Sequence, residues 1–233
     1  TFGLLAPLYF AAVIAALAAL LVWRQLPVIR EQDRTNRKIT SRLRFTDRRI
    51  FMFLTTAVGL FVGFSGIQQT LGFQLQDKLG LNGIETAQMT GAALMVSAAF
   101  TFLIQVTVMQ RMTLRASLFI RLGLLSLFIG AIVIASFNTF AVLAVGMAFM
   151  GTGLGLCMPA IAAGASLAVS PSEQGAAAGL VSACPAIGFV AGPVSAGALY
   201  QIDSSLAPLF SATIFMTVLL VLVWHEHRSR ACK

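Results

Sequence analysis

The sequence predicts an all-α, polytopic membrane protein, a bundle of seven transmembrane helices. Of its residues 58% are apolar and only 10% are charged, whereas a soluble domain carries about a quarter charged residues because its surface faces water. The longest uncharged run, residues 122–172, contains 51 residues. So few charges cannot cover a water-exposed globule, and lipid is the predicted solvent. The net charge of +8 then indicates membrane orientation, with no nucleic-acid partner.

The apolar segments give the number of helices. A helix needs about 20 apolar residues to cross the hydrocarbon core. The long uncharged run must be divided, because an undivided helix there would be about 75 Å long. The turn residues 136–139 give the place of the division. Division at charged and turn residues leaves seven segments: 2–23, 50–74, 86–110, 118–136, 140–169, 175–200 and 206–224.

The first segment starts at residue 2, and no charge precedes it. A signal peptide would begin with positive charge and would have a shorter apolar core. We therefore interpret residues 2–23 as a membrane-spanning helix, and we expect the chain to be truncated or processed.

Lys and Arg divide unequally between the two ends of the predicted helices. Fifteen lie in the first and third connections and the C-terminal tail, and one, Lys78, lies on the opposite side. Cytoplasmic connections are enriched in Lys and Arg, so the first connection and the C-terminus are predicted to be cytoplasmic. Trp23 and Trp224 lie at the same boundary, as interfacial tryptophans do. Seven helices then place the N-terminus outside, which an odd number of further upstream helices would explain.

The spacing of the helices is uneven, because one helix is followed by a basic connection and then by six helices with short connections. This arrangement resembles the major facilitator superfamily, in which two six-helix halves are joined by a long cytoplasmic loop. The resemblance implies the last helix of an N-terminal half at residues 1–23, a central loop at 24–49, a six-helix C-terminal bundle at 50–224 and a cytoplasmic tail at 225–233. Five helices of the N-terminal half would be missing.

A glycine motif in the sixth segment adds to this resemblance. It is similar to the antiporter motif of drug–proton exporters, Gly-three-Gly-Pro-two-Gly-Gly, at the position related by pseudo-symmetry to the family's fifth helix. Small residues at four-residue intervals also predict tight helix packing. The motif residues are Gly188, Gly192, Pro193, Ala196 and Gly197, with Ala196 in place of one glycine.

The connection between the third and fourth segments lies where the family often repeats its Gly-x-Leu-Ala-Asp-Arg-x-Gly-Arg-Arg signature. Only Arg111 and Arg115 match it, because Gln110 takes the acidic position and Thr113 a glycine position. We interpret the two arginines as orienting charges rather than as parts of a charge relay.

A polar stripe along the second segment is the predicted substrate site. Its members recur at three- and four-residue spacing and so share one broad helix face. Unpaired amides are costly in hydrocarbon, so this face should meet protein or water. It could form interhelical hydrogen bonds, or it could line the substrate path with two phenylalanines as apolar walls. The stripe comprises Ser65, Gln68, Gln69, Gly72 and Gln76, and the walls are Phe64 and Phe73.

The fifth segment contains glycines and a proline that weaken its backbone hydrogen bonding. Gly151, Gly153 and Gly155 precede Pro159. The pattern is typical of a helix bend that serves as a gate, and equally of close helix packing through small residues. Both interpretations can hold together.

Titratable groups are missing from the predicted helix cores. Proton coupling normally needs such a group at membrane depth, so a coupling carboxylate is expected in the missing helices. His225-Glu226-His227 is interpreted as a solvated helix end. No metal site and no cofactor are predicted.

These observations favour a secondary active transporter that exports small hydrophobic or amphiphilic compounds in exchange for protons. An importer of the same superfamily is the alternative. A seven-helix receptor is disfavoured, because a retinal protein would need a lysine in the last helix, and a channel or packing subunit is a further option. No catalytic set is recognised, so an enzyme is not predicted. The predicted partners are the lipid bilayer, a small-molecule substrate, protons and the missing N-terminal half, and the predicted location is a bacterial inner (plasma) membrane.

Overall fold

The computed structural model describes residues 6–25, 43–107 and 116–231, apart from the side chains at 6–8, 10, 226, 227 and 229–231. These residues form seven α-helices and no strand, which confirms the predicted all-α class. The helices are α1 (Ala6–Gln25), α2 (Phe51–Leu79), α3 (Gly83–Thr107), α4 (Ala116–Ala135), α5 (Phe140–Leu167), α6 (Gln174–Tyr200) and α7 (Leu206–Ala231).

Six of the described helices, α2 to α7, are long and apolar enough to cross a membrane, and α1 contributes a shorter apolar helix, Ala11–Gln25. The chain divides into two compact units, Thr1–Thr40 and Ser41–Lys233. The first unit contains α1, and the second contains the six-helix bundle of α2 to α7.

Several helices extend past the apolar segments that predicted them. α2 continues through Lys78, whose Nζ donates a hydrogen bond of 2.9 Å to the carbonyl oxygen of Ala135. α7 continues beyond Trp224 to Ala231. Arg121 lies inside α4, within the predicted segment 118–136, although it was counted with the charges of the preceding connection, and its Nε donates to the Ser117 carbonyl oxygen at 3.3 Å. Backbone hydrogen bonding extends a helix without apolar side chains, so hydropathy alone placed these ends too early.

Helices that are distant in sequence pack together in the bundle. The most extensive pairings are α4 with α5, α2 with α6 and α3 with α5. α7 packs against both α4 and α2. Because α3 follows α2 directly but packs mainly on α5, the bundle is not a series of neighbouring hairpins. α2, α3 and α5 all contact one another.

The contact between α2 and α6 is close because glycines of α6 lie against the backbone of α2. A Cβ atom at Gly192 would overlap the Oγ of Ser65, and one at Gly188 would overlap the Cβ of Phe61. The Ser65 hydroxyl donates a hydrogen bond of 2.8 Å to the Gly188 carbonyl oxygen. Small residues at this interface let a serine of one helix bond the backbone of the other.

α5 uses its glycines on two opposite faces. A Cβ atom at Gly151 would overlap the Ser97 carbonyl oxygen of α3, and one at Gly155 would lie 3.0 Å from the Thr101 carbonyl oxygen of α3. A Cβ atom at Gly153 would instead lie 2.7 Å from the carbonyl oxygen of Gly123 in α4. The glycines thus allow α5 to approach α3 and α4 closely, as the packing interpretation expects.

Candidate functional site

The candidate site is a cavity of about 470 Å³ between α2, α3 and α5. α3 supplies most of its wall, α2 supplies two residues and α5 one. None of the lining residues is charged. They are Phe64, Gln68, Leu94, Ser97, Ala98, Thr101, Phe102, Gln105 and Leu154.

Gln68 is the polar group of α2 in this cavity. Its Oε1 atom is buried and has no hydrogen-bond partner among the described residues. Buried polar atoms are normally paired, because an unpaired one costs about 1–3 kcal/mol. Gln68, which lines the cavity together with Phe64, therefore has hydrogen-bonding capacity that no described residue uses.

The Thr101 hydroxyl connects the cavity wall to the α3–α5 contact. Its Oγ1 lies 2.9 Å from the Ser97 carbonyl oxygen in its own helix and 2.9 Å from the Gly151 carbonyl oxygen in α5. A hydroxyl has one proton to donate, so the two carbonyls share it. The wall of the cavity is thus joined to α5 at Gly151, where a Cβ atom would overlap the Ser97 backbone of α3.

The predicted stripe of α2 divides among several surroundings. Ser65 is buried against α6, and Gly72 lies near Thr90 of α3, where a Cβ atom would be 3.7 Å from its Oγ1. Phe73 lies outside the cavity, with its ring 6.1 Å from that of Tyr200. Gln69 and Gln76 are exposed. Of the seven residues predicted to line the substrate path, Phe64 and Gln68 line this cavity.

The polar residues of α3 were not predicted from the sequence. Ser97, Thr101 and Gln105 line the cavity at four-residue intervals, which places them on one face of α3. A polar stripe in an otherwise apolar helix was thus present in both α2 and α3, and the prediction used only the first.

The remaining predicted residues have defined positions outside the cavity. In the glycine motif, Gly192 and Ala196 are buried, Pro193 is half-buried and Gly197 has no atom within 4 Å of a Cβ position. Pro159 lies within α5, which runs without interruption from Phe140 to Leu167. Arg111 and Arg115 lie outside the described residues.

The sequence profile described as Major Facilitator Superfamily matches residues 1–184. This match covers most of the chain. The chain belongs to the Major Facilitator Superfamily. The predicted family is thereby confirmed, and the six-helix unit of α2 to α7 is the membrane bundle of a Major Facilitator protein. No curated protein sequence matches the chain.

Two solved structures share the fold. One is the peptide transporter POT, in a mutant form with sulfate, which has a TM-score of 0.67 and 20% identity over 78% of this chain. The other is the same mutant transporter with alafosfalin, with a TM-score of 0.66 and 20% identity over 80% of this chain. The matches span 39% and 40% of those two chains. This Major Facilitator chain therefore corresponds to about two fifths of their length.

Proposed function

We propose that the chain is part of a secondary active transporter that works by alternating access and exports small hydrophobic or amphiphilic compounds in exchange for protons. The observation that carries the proposal is the uncharged cavity beside α2, which Gln68 lines and where the buried Oε1 of this residue has no partner among the described residues. A transporter, rather than an enzyme, is the activity that Major Facilitator membership favours.

Alternating access needs two bundles that rock around one substrate site. The chain supplies one bundle, α2 to α7, and corresponds to about two fifths of the transporters that share its fold. We therefore propose that a second bundle of the same polypeptide completes the path. The isolated chain, reconstituted in liposomes with a pH gradient, should accumulate no substrate.

The substrate class follows from the lining of the cavity. The rings of Phe64 and Phe102 offer apolar contact, and the amides of Gln68 and Gln105 offer hydrogen bonds. None of the lining residues is charged, so a strongly anionic substrate would be desolvated without a compensating charge. This favours neutral or amphiphilic compounds that carry a hydrogen-bond donor. The similarity to peptide transporters is a similarity of fold at 20% identity, and it does not indicate that this chain binds the same substrates.

Export in exchange for protons is supported by the antiporter-like motif. Its Gly188 lies against Phe61 and its Gly192 against Ser65; Phe61 is less than one turn from Phe64, and Ser65 is less than one turn from Gln68. The position of the cavity wall is therefore coupled to the packing of the motif helix. The coupling carboxylate is proposed to lie in the second bundle, as the sequence predicts.

The test is the substitution Gln68→Leu in the protein as its gene encodes it. Inverted membrane vesicles with an imposed pH gradient would be assayed with fluorescent amphiphiles, ethidium among them. Loss of one hydrogen bond to a neutral partner should raise the apparent KM about two- to tenfold, with unchanged protein level. Proton exchange predicts that collapse of the gradient abolishes uptake into the vesicles.

Gln201→Leu is the matched control, because Gln201 is exposed beyond the end of α6 and lies outside the cavity. It should transport like the parent. Equal kinetics for Gln68→Leu and the parent would exclude the cavity as the substrate site. Movement of the substrate in the same direction as the protons, rather than in exchange for them, would identify an importer.

A further inference from the structure

A second cavity, of about 200 Å³, lies where the ends of α2, α4 and α7 meet. It is separate from the candidate substrate site and shares no residue with it. The segment just before α2, the first turn of α4 and the later part of α7 form its wall. The lining residues are Arg48, Arg49, Met52, Phe53, Ser117, Ile120, Leu222 and His225.

The lining of this cavity is arranged in two layers. Each of the three chain segments contributes a polar residue toward the helix end and an apolar residue three or four positions further into the helix. Such a spacing is about one helical turn, or about 5.4 Å of depth. The polar layer comprises Arg48, Arg49, Ser117 and His225, and the apolar layer comprises Met52, Phe53, Ile120 and Leu222.

The two arginines at the mouth differ in their pairing. Arg49 is bound by the carboxylates of Asp47 and Glu173, at 2.9 and 3.0 Å, so its charge is compensated. Arg48 is exposed, and none of the carboxylates that the structure describes forms an ion pair with it. Arg48 is therefore the cation of the polar layer that no described carboxylate holds. Ser117 in α4 adds a hydroxyl donor to the same layer.

We propose that this cavity binds an anionic phospholipid, with the headgroup phosphate at Arg48 and the first part of an acyl chain against the apolar layer. Basic pockets between transmembrane helices bind such headgroups. A soluble phosphate would use only the polar layer, whereas a phospholipid matches both layers and surrounds helices that are long and apolar enough to cross a membrane. The site is independent of the transport proposal, because its readout is lipid binding.

The test uses the protein as its gene encodes it, purified in detergent and analysed by native mass spectrometry with added phosphatidylglycerol or phosphatidylcholine. The parent should retain phosphatidylglycerol in preference to phosphatidylcholine. Arg48→Gln should lower that retention about fivefold, the effect of one basic residue near a membrane surface. Arg48→Lys, which keeps the charge, should restore most of it.

Arg44→Gln is the matched control, because Arg44 is an exposed arginine nearby that does not line the cavity. It should retain phosphatidylglycerol like the parent. Equal losses in Arg44→Gln and Arg48→Gln would show general charge attraction and overturn the site. Displacement of the lipid by millimolar inorganic phosphate would identify a soluble-anion site and overturn the lipid assignment, as would equal retention of the two lipids by the parent.

Discussion

The guanidinium of Arg49 donates two hydrogen bonds to the carboxylate of Glu173, at 3.0 Å to Oε2 and 3.1 Å to Oε1. Arg49 lies just before α2 and Glu173 just before α6, so the pair joins the ends of two helices that pack along their length. The Ser170 hydroxyl also donates to Glu173, at 2.7 Å. A two-point contact between a guanidinium and a carboxylate fixes orientation as well as distance.

This ion-pair network predicts a pH-dependent stability. The hydrogen bond from Arg49 lowers the pKa of the Asp47 carboxyl below its ordinary value of 3.8. A carboxyl whose pKa is lowered by folding stabilises the fold above the ordinary value, and this contribution is lost as the pH falls through the folded pKa. Asp47→Asn should therefore lower the Tm at pH 7, and its Tm should approach that of the parent only below the folded pKa, well under pH 3.8.

Thermal unfolding of the purified variants, followed by fluorescence at pH 7 and well below pH 3.8, measures this effect. Glu85→Gln serves as a control, because Glu85 accepts a hydrogen bond from the Asn82 amide that a glutamine can also accept. A Tm deficit of Asp47→Asn that is the same at both pH values would show that the charge of Asp47 is not involved.

The glycine contacts of α6 predict opposite effects of one substitution at two positions. Gly192→Ala should destabilise the bundle by about 1–3 kcal/mol, because the added Cβ overlaps the Ser65 Oγ and the helices must separate. Gly179→Ala should be neutral or stabilising by up to about 1 kcal/mol, since nothing lies within 4 Å of its Cβ position and alanine favours helix. Chemical or thermal unfolding compares the two, and equal stabilities would contradict the close α2–α6 contact.

Gln74 predicts a stabilising substitution. Its side chain is buried, and its Nε2 donates to the Thr70 Oγ1 at 3.1 Å, while its Oε1 has no partner among the described residues. Gln74→Met removes the unpaired oxygen and keeps a flexible side chain of similar length. The free energy of unfolding should rise by on the order of 1 kcal/mol. Gln76→Met, at an exposed position of the same helix, should change it little, and a loss of stability in Gln74→Met would mean that the amide oxygen is satisfied.

The charge distribution predicts the topology in the membrane. In a background with Cys232→Ser, a cysteine at Asn138→Cys should react with a membrane-impermeant maleimide added from outside, and one at Asn36→Cys should not. Asn138 is exposed in the connection between α4 and α5, and Cys157 and Cys184 are buried. A reporter fused after Lys233 should be active in the cytoplasm. The reverse labelling pattern would overturn the predicted orientation.

Helix number was predictable because hydrocarbon thickness imposes a minimum length on every spanning segment. Even the weak signal at 136–139 separated two helices correctly, since α4 ends at Ala135 and α5 begins at Phe140. The helix ends were predicted less well, because α2 continues through the charged Lys78, whose side chain bonds the Ala135 carbonyl oxygen.

The candidate site was predictable only within single helices. Helical spacing placed Phe64 and Gln68 together, but it could not decide which of the two adjacent glutamines faces the cavity. Gln69 points about 100° away from Gln68 and is exposed. Whether a polar residue faces a cavity depends on the neighbouring helix, and nothing in the spacing of α2 indicates that α3 supplies Gln105 to the same cavity. The predicted role of the glutamines in substrate binding remains a prediction.

The packing of α3 on α5 has a consequence for how the protein is made. α3 reaches the membrane right after α2, yet its main partner is not synthesised until the ribosome has completed Phe140–Leu167. At ordinary translation speeds this interval is on the order of seconds, during which the polar face with Ser97 and Thr101 has no glycine-lined neighbour. α2 is without its main partner for longer still, because α6 is synthesised after α5. The early helices of this bundle are therefore the ones most exposed to quality-control proteases and chaperones before assembly is complete.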